Sequence, residues 1–232
     1  MSALHPLPAT FAATREGLHA LAEHVIAPLR YLEEGHIGLR ATPLGFGTEM
    51  LPNDRQVRVA NGVLVDWTLE HERREEITTL GEAAAFLDVE VGAPVKVYTP
   101  ATDGDPKRPL GVDVGAATVL GEWYTFGATV LQQVRAHATV EDAPTIAQLW
   151  PEHFDLALDL GPDGHRANVG ASPGDAQHPE PYLYVGPWAD IPSGGTWNEP
   201  FGASLAYADL VAAADPVATA VAWVGERLAA VR

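Results

Sequence analysis

Hydrophobic residues recur every three or four positions near the amino terminus, which is the spacing of an amphipathic helix. A threonine, Thr10 or Thr14, is suited to cap the start of this helix, and Gly35 is suited to end it. The periodicity therefore predicts a first helix that stops at residue 35. Its apolar positions are Leu18, Leu21, Val25, Leu29 and Leu32.

Alternation of apolar and polar residues replaces the helical spacing between residues 36 and 77. Strands with one buried face show this period of two, and the dipeptide Asn61-Gly62 is typical of the tight turn that joins two of them. This region is therefore predicted to form an antiparallel meander. A short helix at about residues 80–87 and one strand at residues 95–98 follow it.

The second half opens with a longer helical pattern over residues 114–138, and it ends with a helix that Asp215 is suited to cap. Pro216 occupies the first position of that last helix, which proline favours, and the helix extends to about residue 231. Short apolar segments between these two helices are predicted strands. They cover residues 154–160, 166–171, 182–185 and 203–207.

Both halves thus have the order helix, meander, helix, which predicts an α+β fold with antiparallel β-meanders packed against helices. An ancient duplication would produce two similar halves, but this order is also common by chance, and no residue-level match links them. We expect one compact α+β unit over residues 1–232. The segment Thr139 to Pro144 is the stretch best suited to a subdomain boundary.

The chain is acidic, since 31 aspartate and glutamate residues against 14 lysine and arginine residues give a formal net charge of −17. This sign repels nucleic-acid phosphates and anionic membrane surfaces, so neither is an expected partner. A cationic small molecule, a metal ion or a basic protein would be compatible with the charge, which also favours solubility. The oligomeric state stays open.

Cysteine is absent from the sequence, which excludes disulfide bonds, iron–sulfur clusters and thiolate-bound zinc. A divalent metal held by nitrogen and oxygen ligands stays compatible with the composition. Residues 1–6 lack the basic and apolar parts of a secretory signal, and the chain has no run of about eighteen apolar residues. The sequence therefore predicts a cytoplasmic protein.

Polar and aromatic side chains share one face of the predicted strands in the second half. Successive side chains of a strand alternate between its two faces, so the aliphatic positions would pack on the helices and the others would face away. Aromatic walls with a few hydrogen-bonding groups are typical of small-molecule sites, and an arginine suits an anionic group such as a carboxylate. We expect this face to bind a small polar molecule, although the exposed side of any antiparallel sheet alternates in the same way. The expected ligand-binding residues are Arg166, Asn168, Tyr182, Tyr184 and Trp188.

The segment Gly170-Ala171-Ser172-Pro173-Gly174 matches the Gly-x-Ser-x-Gly pattern of serine hydrolases. An oxyanion hole would need the backbone N–H of the residue after the serine, and proline has none. We therefore interpret this segment as a turn between two strands.

A metal site is the second hypothesis for the same region. His153, Asp155 and His178 are the candidate ligands, because imidazole and carboxylate groups bind zinc, manganese and iron. Their spacing matches no diagnostic motif, and the 9 histidines and 31 acidic residues of the chain bring such groups near one another by chance.

Four segments carry a resemblance to known proteins: residues 150–157 (WPEHFDLA), 168–175 (NVGASPGD), 179–185 (PEPYLYV) and 205–210 (LAYADL). In this order they resemble an uncharacterised bacterial domain family of unknown function that is frequent in actinobacteria. That family has Trp-Pro followed by Phe-Asp, and this chain inserts Glu152 and His153 between the two pairs, which puts a required role of His153 in doubt. The resemblance implies a β-rich sheet with helices and no known activity or cofactor.

Three functions of different classes are compatible with the sequence. The first is binding of a small polar molecule on the tyrosine-, arginine- and asparagine-lined face, which we favour. The second is a metal-dependent hydrolase with histidine, aspartate and glutamate ligands, and the third is a protein-interaction scaffold. Whether the protein is an enzyme stays open.

Overall fold

Six α-helices and ten strands form the part of the chain that the structure, a computed structural model, describes, namely residues 4–232. Residues 1–3, on which the expectation of a missing signal peptide partly rests, lie outside the described residues. A π-helical segment, Ala22–Ile26, joins the first two helices, and Pro52–Asp54 forms a 3-10 turn. The helices are α1 Phe11–Leu21, α2 Ala27–Glu34, α3 Leu80–Leu87, α4 Val114–His137, α5 Tyr207–Ala212 and α6 Pro216–Val231.

The strands form two antiparallel five-stranded sheets, each of them a meander, and this confirms the predicted α+β class. The first sheet has the order β1-β2-β3-β4-β5, and the second has the order β10-β9-β8-β7-β6. The first contains β1 Arg40–Thr42, β2 Gly45–Gly47, β3 Gln56–Ala60, β4 Val63–Trp67 and β5 Glu72–Glu76. The second contains β6 Gln148–Trp150, β7 Asp155–Leu160, β8 Ala167–Ser172, β9 Tyr182–Pro187 and β10 Ala203–Ala206.

The chain divides by its contacts into two compact units. The amino-terminal unit comprises Leu7–Thr125 together with Leu149–Phe154. The carboxy-terminal unit comprises Phe126–Gln148 and Asp155–Arg232 together with residues 4–6. One division falls inside α4. The segment 139–144, considered above as a boundary, lies within the carboxy-terminal unit.

The predicted first helix ends at Gly35, whose φ of 72° is the left-handed conformation that favours glycine. The π-helical segment within it was not predicted, because an extra residue in one turn leaves the apolar spacing on either side nearly unchanged. This turn buries Glu23 and His24. Glu23 accepts hydrogen bonds from the backbone N–H groups of Ala101 and Thr102, each at 2.8 Å.

Side-chain caps fix the start of two helices at the predicted residues. Thr79 accepts a hydrogen bond from Glu82 N at 3.2 Å before α3, and Asp215 accepts one from Ala218 N at 3.0 Å before α6. Each cap satisfies a backbone N–H that has no partner inside the helix. The predicted bounds of α3 and α6 are therefore confirmed.

The predicted strand at residues 95–98 is wrong, since these residues form a turn. Val97 N donates to the carbonyl oxygen of Pro94 at 2.7 Å, which bends the chain back on itself. The Tyr98 hydroxyl donates to the Glu23 carbonyl oxygen at 3.1 Å, so the tyrosine packs on the π-helical segment. Valine and tyrosine favour strands, but the prolines at positions 94 and 100 favour turns, so the sequence of this segment is compatible with either structure.

The aliphatic face of the second sheet packs on helices, as the alternation predicts. Leu156, Ala171 and Leu183 are aligned across β7, β8 and β9, and all three are buried. The helix α4 approaches this face so closely that a Cβ atom on Gly127 would lie 2.6 Å from the Cβ atom of Ala171. The opposite face of the strands is therefore the one left for a candidate site.

Candidate functional site on the second sheet

The face of the second sheet that points away from α4 carries polar and aromatic residues in register. Ala157, Gly170 and Tyr184 are aligned across β7, β8 and β9, and the next row toward the carboxyl end of β8 pairs Ser172 with Tyr182. Asp159 is paired with Asn168 in the row on the other side. The predicted residues Asn168, Tyr182 and Tyr184 therefore share one face.

The Tyr184 hydroxyl is the centre of this face. It lies within hydrogen-bond distance of the Asp155 carboxylate and, at 2.8 Å, of Asn168 Oδ1. A phenol has a single proton to donate, so Asp155 and Asn168 compete for it. Burial, and after it the negative charge of Asp155, raises the pKa of Tyr184 well above its usual value. The hydroxyl is therefore a permanent donor at neutral pH.

An aromatic cluster surrounds Tyr182, one row away. The ring centroids of Tyr182, Tyr184 and Phe201 lie 6.2 to 6.3 Å from one another, with Tyr182 and Phe201 nearly parallel. The His178 ring lies 5.0 Å from that of Tyr182. Phe201 is 40% exposed, so the cluster is open to solvent on one side.

Carboxylates surround the same cluster. Burial raises the pKa of Tyr182, a hydrogen bond with Ser172 lowers it, and the negative charges of Asp175, Asp155 and Glu199 raise it further. Because three carboxylates raise its pKa, Tyr182 lies in a region of negative electrostatic potential. The aromatic faces and this potential favour a positively charged group at the same place.

Glu199 is held in position by two neighbours. Its Oε1 atom accepts a hydrogen bond from Ser204 Oγ at 2.7 Å and lies 3.1 Å from His178 Nε2. The Nδ1 atom of His178 lies 3.8 Å from an oxygen of Asp175. The imidazole thus links two of the three carboxylates around Tyr182.

Arg166 and Trp188 form a second group at the opposite end of the face. The Arg166 guanidinium lies 5.3 Å from the Trp188 ring centroid, and its Nη1 donates to the carbonyl oxygens of Gly161 at 3.0 Å and Asp142 at 3.5 Å. The arginine therefore supports the turn between β7 and β8. Trp188 is 63% exposed.

The five predicted ligand-binding residues share a face but do not meet at one point. Tyr182 and Trp188 are six residues apart along β9 and its extension, which corresponds to roughly 20 Å of extended chain. Asn168 and Asp159 lie between the two groups. A small molecule can contact one group or the other.

Asp159 is in an unfavourable electrostatic environment. Burial raises the pKa of its carboxyl, and this effect outweighs the opposing influence of Arg166, Trp188 and Asn168. Its Oδ1 atom is buried and has no hydrogen-bond partner among the described residues. A buried carboxylate oxygen without a donor reduces stability.

The proposed metal ligands do not come together. Asp155 contacts Tyr184, and His178 contacts Glu199, whereas His153 is exposed and belongs to the amino-terminal unit. Within residues 4–232, no group of three or more histidine and carboxylate side chains is arranged to hold a metal ion. The geometry gives the metal hypothesis no support.

Ser172 lies at the end of β8, where the chain turns as interpreted from the sequence. Its Oγ atom accepts a hydrogen bond from Gly174 N at 3.1 Å, and Asp175 N donates to the carbonyl oxygen of His178 at 2.7 Å. The side chain is buried and contacts Tyr182. The serine thus supports the tyrosine cluster.

Sequence reasoning missed Glu199, Phe201 and Ser204, which complete the cluster. Two of them lie in the irregular segment before β10, where no periodicity indicates which way a side chain points. The separation of Phe201 from Tyr182 along the chain also gives no local signal. Only the pairing of β10 with β9 brings them together.

Comparison with known proteins adds no assignment, since no family model, curated protein or solved structure matches the chain significantly. The resemblance of the second half to an actinobacterial domain family therefore stays a prediction. Among the described residues, none of the helices has the length and apolar character needed to cross a membrane.

Proposed function

We propose that the carboxy-terminal unit binds a small polar molecule that carries a cationic group, such as a protonated amine or a quaternary ammonium. The observation that carries the proposal is the convergence of aromatic rings and carboxylates on Tyr182. The proposed ligand carries a positive charge, whereas Arg166 suggested an anionic group from the sequence.

Aromatic faces attract cations because the ring quadrupole presents negative charge above and below the ring. Tyr182, Tyr184 and Phe201 supply three such rings within 6.3 Å of one another. The carboxylates of Glu199 and Asp175 add long-range attraction to the same point. The net charge of −17 raises the local concentration of cations further.

The rigidity of the cluster favours binding. Glu199 is fixed by Ser204 and His178, and the Tyr184 hydroxyl is fixed against Asp155. Preorganised groups lose little conformational entropy when a ligand arrives. The proposal is therefore limited to binding.

The test compares three probes of the same shape that differ in charge: tert-butylammonium, tert-butanol and pivalate. Titration of the full chain, followed by nuclear magnetic resonance of the backbone amides, reports both affinity and location. We expect saturable binding of tert-butylammonium alone, with the largest shifts at the non-proline residues of segments 178–184 and 199–204. Equal response to all three probes, or saturation by pivalate alone, would overturn the proposal.

Two variants and a control locate the cation. Tyr182→Ala removes one ring and is expected to weaken binding of tert-butylammonium by roughly 2- to 30-fold, the range of a cation–π contact. Glu199→Gln keeps the shape of the side chain and is expected to weaken binding by removing a charge. Trp188→Ala removes an exposed ring at the far end of the same face and is expected to leave the affinity unchanged. If Trp188→Ala weakened binding as much as Tyr182→Ala, the ligand would not lie at Tyr182.

A further inference from the structure

A separate pocket lies on the outer face of the first sheet, within the amino-terminal unit. Its volume is about 330 Å³, close to the lower limit of pockets that bind small molecules. None of the described residues that line it is acidic, although acidic residues outnumber basic ones by 31 to 14 in the chain. The pocket contains Arg58, Arg74, Gln56 and Asn61 beside the apolar Leu44 and Val63.

The sheet register fixes the two arginines side by side. Arg58 on β3 and Arg74 on β5 are both paired with Val65 on the intervening strand β4, so they lie in one row on one face. Glu72 holds both of them, since it accepts from Arg58 Nη2 at 3.0 Å and from Arg74 Nε at 2.8 Å. The pocket therefore has two guanidinium groups in its lining, and Glu72 is the carboxylate that both of them contact.

Leu44 gives the second, independent observation. It follows Pro43 in the two-residue turn between β1 and β2, and its φ of 66° is in the left-handed region. This is the third position of a type II turn, where glycine is favoured, and a leucine there costs roughly 1 to 2 kcal/mol. The side chain is also 50% exposed at the pocket, so burial does not offset the strain.

We propose that this pocket binds a small organic carboxylate, whose anionic group contacts Arg58 and Arg74 and whose apolar part contacts Leu44 and Val63. Guanidinium groups bind carboxylates through paired charge-assisted hydrogen bonds. Glu72 and Glu76 lie on the same face of β5 as Arg74, and a monoanion meets less repulsion from these carboxylates than a dianion does. The Leu44 backbone is held by the hydrogen bond from Asn61 N to its carbonyl oxygen at 3.0 Å, and the proposed ligand contacts the side chain that is left exposed.

The test uses benzoate as the probe and benzamide as its neutral counterpart of the same shape. Amide chemical shifts of the full chain are followed as each compound is added. Saturable binding of benzoate is expected, with shifts at residues 44, 45, 56–63 and 74. Benzamide is expected to bind at least about tenfold more weakly because it lacks the charge. Absence of saturation by benzoate, or equal binding of benzamide, would overturn the proposal.

Variants of neighbouring residues are expected to change benzoate affinity in opposite directions. Arg74→Gln removes a charge from the pocket and is expected to weaken binding about tenfold. Glu72→Gln removes the carboxylate that competes with benzoate for both arginines. This variant is expected to bind benzoate severalfold more tightly. Arg40→Gln is the control, because this exposed arginine is paired with Glu49 and does not line the pocket. A weaker affinity in Glu72→Gln would contradict the proposed role of the arginines.

Leu44→Gly separates ligand binding from folding. Glycine relieves the left-handed strain, so the melting temperature is expected to be unchanged or higher, while loss of the apolar contact is expected to weaken benzoate binding. An unchanged affinity in this variant would show that Leu44 does not contact the ligand. The proposed contact between the apolar part of the ligand and the pocket would then be wrong.

Discussion

The Tyr184 hydroxyl on β9 reaches across β8 to the Asp155 carboxylate on β7. This contact depends on a residue with no side chain, because Tyr184 is paired with Gly170 on β8 and lies directly over it. A Cβ atom at Gly170 would lie 2.5 Å from the Tyr184 ring and hydroxyl. The position of the tyrosine, and with it the candidate site, therefore depends on that glycine.

Gly170→Ala is expected to displace the Tyr184 ring and to reduce the free energy of unfolding by about 1 to 3 kcal/mol, as overpacking does. Gly225→Ala is the matched control, since a Cβ atom there meets nothing within 4 Å and the residue lies inside α6. That substitution is expected to stabilise the protein by about 0.5 to 1 kcal/mol. Urea unfolding of the two variants measures both effects, and equal destabilisation would contradict the close approach at Gly170.

Tyr184→Phe keeps the ring and removes the hydroxyl. We expect the free energy of unfolding to fall by about 1 to 3 kcal/mol, because Asp155 and Asn168 lose the donor for which they compete. The ultraviolet absorbance of tyrosinate gives a second measurement. Since burial raises the pKa of Tyr184, this tyrosine should stay protonated while exposed tyrosines ionise as the pH rises. The wild type and the variant should therefore give the same tyrosinate absorbance until the protein unfolds. A difference between them before unfolding would show that Tyr184 ionises in the folded state.

Asp66 in the first sheet is expected to control stability in acid. Its carboxylate is buried, which alone would raise its pKa, but hydrogen bonds and charges from Arg55 and Arg73 outweigh burial and lower it. Because the pKa is lower in the folded state, the stabilisation is present above the unfolded value of about 4 and is lost as pH falls through the folded value. Asp66→Asn is expected to cost about 3 kcal/mol at neutral pH and to flatten the acid side of the profile.

The control for Asp66 is Glu49→Gln, which removes an exposed partner of Arg40 in the same sheet. Exposed ion pairs contribute less than about 1 kcal/mol. Urea unfolding at a series of pH values gives both profiles. If the profile of Asp66→Asn remained parallel to that of the wild type in acid, Asp66 would not carry this pH dependence.

Helix ends and hairpin turns were predictable because local chemistry determines them. The Asp215-Pro216 cap, the left-handed Gly35 and the Asn61-Gly62 turn each stand where the sequence placed an end or a turn. The alternation of apolar and polar residues also predicted the two faces of the second sheet correctly, because successive side chains of a strand point to opposite faces. The strand β5 is different, because every residue in it is charged and exposed and only its pairing with β4 identifies it.

The candidate site was predictable only along single strands. Tyr182, Tyr184 and Asn168 lie on one face as predicted. Tyr182 and Trp188, however, lie at opposite ends of β9 and its extension, so the residues expected to form one site form two groups. Glu199 and Phe201 come from a segment without periodicity, and their contacts depend on tertiary packing. Arg166 donates to backbone carbonyl oxygens through Nη1, and its expected role as an anion-binding group stays a prediction.

Asp159→Asn is expected to stabilise the protein at neutral pH, in contrast to Asp66→Asn. Burial raises the pKa of Asp159, and its Oδ1 atom has no partner among the described residues, so ionisation opposes folding. Stability is then complete below the unfolded pKa of about 4 and falls as pH rises through the folded value. Asparagine removes the charge at nearly constant shape. Because the residue is partly exposed, we expect a gain of about 1 kcal/mol or less at neutral pH and none in acid, measured by urea unfolding. A loss at neutral pH would mean that attraction to Arg166 outweighs the cost of burial.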